Sequence, residues 1–158
     1  MAKIKDVIYY FLINYPYKEE LSKTRLTKLV YLADWENSLR HGEQITKIKW
    51  FFDHYGPFVP DVYETAIKDK KLSIITGYTP FGRPKVSIGL TEKNGNVATN
   101  ISLNDNQKAI LDKIIEDTKY LNWNDFINHV YSTYPITSQK RYNQLNLVQL
   151  AKETNCNY

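Results

Sequence analysis

Two stretches decide how this chain folds. The first is Ser22-Lys23-Thr24-Arg25-Leu26-Thr27-Lys28-Leu29-Val30-Tyr31-Leu32-Ala33-Asp34-Trp35. The second is Trp50-Phe51-Phe52-Asp53-His54-Tyr55-Gly56-Pro57-Phe58-Val59-Pro60-Asp61-Val62-Tyr63. In the first, Leu26, Leu29, Val30 and Ala33 recur at helical spacing, and Leu32 and Leu39 widen the stripe. Ser22 stands where an N-cap oxygen accepts from the first N–H groups. Gly42 stands where a helix commonly ends. In the second stretch the period shortens to two. Ile48, Trp50 and Phe52 alternate with Lys49, Phe51 and Asp53, which predicts a short strand. Parity turns Trp50 and Phe52 to the core and leaves Phe51 and Tyr55 accessible. Gly56-Pro57 is expected to break the strand. Pro60 suits the first turn of a third helix, where its missing N–H costs nothing. Asp61 there complements the helix dipole, and Val62, Tyr63, Ala66 and Ile67 are expected to face inward.

Working outward, Ile4, Val7, Ile8, Phe11, Leu12 and Tyr15 form the apolar stripe of a first helix that Pro16 ends. Leu72, Ile74, Thr76 and Tyr78 alternate on one side of Pro80-Phe81-Gly82-Arg83-Pro84, and Val86, Ile88 and Leu90 on the other. That pattern predicts a hairpin whose prolines limit pairing near the tip. Asn94-Gly95-Asn96 reads as a turn. Asn104 and Gln107 have capping-box spacing ahead of Ile110, Leu111, Ile114 and Ile115. Asn122 caps a helix with the stripe Trp123, Phe126, Ile127, Val130, Tyr131 and Tyr134, which Pro135 is expected to stop. Leu147, Val148, Leu150 and Ala151 mark a final helix. With no internal repeat and no linker, residues 1–158 read as one α+β domain. It has about six helices around a small antiparallel sheet or hairpin.

Composition narrows the class. With 42% hydrophobic and 24% charged residues, the chain is globular rather than disordered. No run approaches the ~18 apolar residues of a membrane span, so no membrane partner is expected. Lys3 and Lys5 precede an apolar stretch, but Asp6 interrupts it and no small-residue cleavage site follows, which favours an ordinary first helix. Cys156 is alone, so the fold does not depend on an internal disulfide, and a reducing cytoplasm is the simplest setting. The net charge of +4 suits nucleic acid or an acidic protein partner equally. The 13 tyrosines weigh toward a protein partner, because Tyr joins a wide contact face to one polar handle.

Catalytic templates do not match. There is no GxGxxG, no GxxxxGK[ST] and no GxSxG. His41, His54 and His129 lack metal-ligand spacing, so neither metal nor cofactor is expected. Asp53-His54-Tyr55 invites a hydrolase in which His54 is a general base. Adjacent strand residues point to opposite faces, however, so Asp53 is badly placed to orient His54. The plainer role for His54 is to fix the turn. Lys23, Arg25 and Lys28 gather positive charge at the start of the second helix, suited to phosphate or an acidic side chain, or simply to a solvated face. Asp34 in an apolar helix centre must find donors or water. Pairing with His54, Arg25 or a Tyr would tie the helix to the aromatic segment. Arg83 and Lys85 at a hairpin tip are compatible with a winged-helix DNA-binding regulator, although the third helix begins with Asp61 and Glu64, which suits a major groove poorly.

Lys28-Leu29-Val30-Tyr31-Leu32-Ala33-Asp34-Trp35, then Gly42-Glu43-Gln44-Ile45-Thr46, then Trp50, then Tyr55-Gly56-Pro57, then Val62-Tyr63, follow one another in an order that resembles the Panacea domain of SocA-like antitoxins. The resemblance covers residues from about 22 to 69. It implies a non-catalytic antitoxin that neutralises a cognate toxin, encoded nearby, by direct protein–protein binding. A related possibility is an adaptor that presents its bound partner to a protease. A scaffold shared among unrelated toxins implies a fixed core with a variable binding surface. The candidate partner-binding residues are Lys23, Arg25, Lys28, Phe51, His54, Tyr55 and Phe58. Asp34, Trp35, Trp50, Gly56 and Pro57 are the candidate structural motif.

Overall fold

The computed structural model describes residues 1–91 and 100–155, so Asn94-Gly95-Asn96 and Cys156 lie outside the described residues. The chain opens with α1 (Ile4–Asn14), a short 3-10 turn (Lys18–Glu20) and α2 (Lys23–His41). A first hairpin follows, β1 (Phe51–Asp53) and β2 (Gly56–Phe58), then α3 (Asp61–Lys68). The second hairpin is β3 (Leu72–Tyr78) and β4 (Pro84–Leu90). Four helices close the fold: α4 (Asp105–Thr118), α5 (Trp123–Tyr131), α6 (Tyr134–Ser138) and α7 (Leu147–Asn155).

Helix α2 is the axis. Ser22 Oγ accepts from the Arg25 N–H at its start, and Gly42 ends it in the left-handed region at φ 72°. A surface helix would bury one stripe. This one buries Leu26, Leu29, Val30, Leu32 and Ala33 together with Thr27, Lys28, Tyr31, Asp34 and Asn37, so it is covered on nearly every side. Helices α1, α3, α4 and α7 and strand β2 pack against it. The predicted stripe of α1 supplies Val7, Ile8, Phe11 and Leu12 to the same core, and α4 adds Ile110, Leu111, Ile114 and Ile115. The capping box forms as its sequence predicts, with Asn104 and Gln107 each bonding the other's backbone. Asn122 caps α5.

The two hairpins form separate two-stranded antiparallel sheets rather than one. In the first, Phe51 pairs with Phe58, Phe52 with Pro57 and Asp53 with Gly56. The free edge of β1 is covered by the segment ahead of α7. Phe52 N–H donates to Asn143 O at 2.9 Å and Leu145 N–H to Trp50 O at 2.9 Å. In the second hairpin only the base is buried, through Leu72 and Ile88, while Tyr78 and Phe81 at the far end are exposed.

Four local expectations change. Gly56-Pro57 does not break the strand but forms its return, because β2 is an edge where a missing N–H is tolerated. For the same reason the prolines do not shorten the second hairpin, whose ladder runs to Tyr78 opposite Pro84. Pro135 does not simply stop a helix. The chain turns at Ser132-Thr133, and Pro135 sits in the first turn of α6, which brings the helices to seven among the described residues. Ile67 and Trp123, expected inside, are exposed at the ends of their stripes.

Candidate partner-binding site

The site rests on a buried carboxylate. Asp34 is fully buried in α2 and accepts from five donors. Its Oδ1 takes the Ile45 and Thr46 N–H groups, both at 2.9 Å. Its Oδ2 takes the Thr46 hydroxyl at 2.6 Å, the Trp50 indole N–H at 2.8 Å and the Gln44 amide at 3.4 Å. Sequence reasoning expects Asp34 to tie the helix to the aromatic segment. The tie is present, but its partners are Gln44-Ile45-Thr46 and Trp50, not His54, Arg25 or a tyrosine. Burial pushes the carboxyl up to about 6, while the Thr46, Trp50 and Ile45 bonds pull it down by favouring the ionised form. Trp50 is thereby held at its N–H edge, and the Tyr31 ring packs against it near-perpendicular at 5.5 Å. Trp35, next in the helix, is also buried.

Nearly two turns earlier in the same helix, Lys28 holds the hairpin from beneath. It is 2% exposed, and its ammonium donates to Tyr55 O at 3.1 Å and Pro57 O at 3.2 Å. Burial lowers its pKa to about 8, against the opposing pull of Asp53. The clamp ties the His54–Tyr55 turn to α2. Gly56 completes the seat. Its φ is +94°, and a Cβ there would lie 2.6 Å from Tyr131 Cε1, so the backbone approach leaves no room for a side chain.

What the hairpin shows to solvent is aromatic. Tyr55 is 73% exposed and Phe58 is 38% exposed. Phe51, opposite Phe58, is half-buried on the same face. Trp50 and Phe52 are buried, as their parity predicts. His54 is exposed, with its ring edge against Tyr55 at 4.6 Å and its Nδ1 3.3 Å from the Tyr142 hydroxyl. Arg141 Nε donates to His54 O at 3.2 Å. Beside this turn lies a cleft of about 460 Å3 lined by Phe52, Tyr131, Ile136, Gln139, Lys140 and Arg141. Tyr142, at its edge, has φ +70°, the one positive φ outside glycine among the described residues.

The remaining expected binding residues separate. Lys23 lies at the surface over the Tyr63 ring at 4.7 Å. Arg25 and Lys28 do not form an exposed basic patch, because both are buried. Arg25 turns away from the hairpin, stacks on Phe126 at 4.3 Å and donates to Thr118 O, Leu121 O and the Tyr15 hydroxyl. There it caps the carbonyl end of α4, where a cation is favoured. At the second hairpin, Lys85 is bonded to Glu19 O at 2.7 Å and Arg83 is exposed. Sequence reasoning missed Gln139, Lys140, Arg141 and Tyr142. They lie in a polar stretch without period, where only the Lys140-Arg141-Tyr142 succession of two cations and a phenol hints at a surface role.

No three-residue His, Cys, Asp or Glu cluster able to hold a metal occurs among the described residues. Among the described residues no helix is long and apolar enough to cross a membrane. The SocA-like antitoxin, Panacea domain model matches residues 26–135. The chain belongs to that family. Its matched span runs from the first core leucine of α2 through both hairpins to Pro135, and so includes Lys28, Asp34, Trp50 and Gly56. Neither a curated protein nor a solved structure matches the chain.

Proposed function

We propose that this Panacea-domain protein is the non-catalytic antitoxin of a toxin–antitoxin pair, acting in the cytoplasm by binding a cognate toxin protein directly. Membership of the SocA-like antitoxin family over residues 26–135 carries the reading. The geometry supports it in a specific way. The buried Asp34 holds Trp50 at the foot of one hairpin and Lys28 holds its turn, and that hairpin presents Tyr55, His54 and Phe58 outward, beside the half-buried Phe51, on a preorganised backbone. Little ordering entropy is then lost when a partner binds. Exposed aromatics on a rigid seat are what interface anchors require.

The test is co-expression with the product of an adjacent reading frame that is growth-inhibitory by itself. Rescue by the wild-type chain, lost in Tyr55→Ala, supports the reading. If no adjacent product inhibits growth, or if co-expression never rescues, the reading fails. DNA-binding regulation is a weaker second reading, resting on exposed Arg83. It requires salt-sensitive binding to upstream DNA.

A further inference from the structure

We infer that the cleft beside the first hairpin is the pocket for an anchor on the toxin: an apolar side chain with a carboxylate next to it. This rests on the antitoxin reading and adds the chemistry of what is bound. The floor is apolar, made by Phe52, Tyr131 and Ile136, and the rim carries Lys140 and Arg141 with no acidic residue in the lining. At about 460 Å3 the cleft is open to solvent and has room for a protruding side chain. An apolar floor under two cations complements an apolar anchor flanked by negative charge, and it selects against a basic segment.

The rim is held rather than loose. Arg141 lies over the Phe52 ring at 5.7 Å while its Nε bonds His54 O. Tyr142, in the left-handed region, bonds back to Phe52 O through its N–H. A bulky residue in that conformation is costly unless its surroundings fix it. The rim is tied to the Tyr55 turn through His54, whose carbonyl accepts from Arg141 Nε and whose ring lies against Tyr55. Its floor lies partly within the family match, at Phe52 and Tyr131, while Ile136 and the basic rim follow the end of the match at residue 135. Nucleic acid is the poorer occupant, because two cations alone neutralise few phosphates.

The experiment measures binding of the purified, growth-inhibitory neighbouring product to wild type, Lys140→Glu, Arg141→Glu and Tyr55→Ala, with thermal midpoints for each. Lys140 is exposed, so its variant keeps the fold even if Arg141→Glu loosens the hairpin. Lys140→Glu should weaken binding about tenfold at low salt, and less at high salt, as a rim charge does. One surface carboxylate of the toxin, changed to Lys beside an apolar residue, should restore binding to Lys140→Glu. Wild-type affinity in both charge variants, with Tyr55→Ala still impaired, overturns the pocket and leaves the antitoxin reading standing. A wild-type protein that does not bind overturns both. Displacement of the toxin from wild type, but not from Lys140→Glu, by a short oligothymidylate assigns the cleft to nucleic acid instead.

Discussion

Asp34 gathers donors from a loop and from Trp50, and no acceptor faces it, so the geometry asks for an ionised carboxylate. An amide in its place points at least one N–H at another donor. Asp34→Asn is therefore expected to lower stability by about 3 kcal/mol, the cost of leaving buried donors unmatched, read from denaturant unfolding. Ionisation itself is not free. Because burial raises the carboxyl to about 6 from its ordinary value near 3.9, the folded chain holds this proton more tightly than the unfolded one. Asp34 thus costs stability as pH rises from about 4 to 6. Lys28 has the opposite sign. Its folded pKa of about 8 is depressed, so above that pH the unfolded chain binds more protons and stability climbs toward pH 10. Between pH 7.5 and 9.5 the gain from this one group should be roughly 1–2 kcal/mol, and Lys28→Met should flatten it. The window stops there because burial raises Tyr9 and Tyr31, whose ionisation destabilises the fold at higher pH.

At the scale of the element, the first hairpin depends on two contacts that local sequence reveals unequally. Gly56→Ala should cost about 2–4 kcal/mol, since the new methyl meets Tyr131 and the backbone sits at positive φ. A crystal or spectroscopic readout of a displaced Tyr131 would accompany it. Trp50→Ala should cost about 3–5 kcal/mol by emptying a fully buried site. Tyr55→Ala should leave the thermal midpoint nearly unchanged, because that ring is 73% exposed. The faces of Trp50, Phe52 and Tyr55 were legible because alternation is a local property of a strand. The seat of Gly56 was not, because Tyr131 arrives from 75 residues away. Nor was the fate of Arg25 and Lys28 visible. A cation at the head of a helix usually stays in water, and only the α4–α5 corner and the hairpin carbonyls reveal that these two are enclosed.

Across the whole molecule, the Panacea-family core converts one buried helix into a platform. Helix α2 carries both Asp34 and Lys28, and between them they fix Trp50 and the carbonyls of the Tyr55 turn. Family and fold class were readable because ordered short motifs and periodicity both survive in one dimension. The cleft was not, since its floor comes from β1, α5 and α6 and its rim from an aperiodic segment that packs beside β1 only in three dimensions. The most direct measurement is growth of cells that express the inhibitory neighbouring product together with wild type, Tyr55→Ala or an empty control. The expected result is rescue by wild type and continued inhibition with a stably folded Tyr55→Ala. Rescue by Tyr55→Ala equal to wild type would show that the hairpin face is not where the partner binds, and no rescue by either would contradict toxin neutralisation altogether.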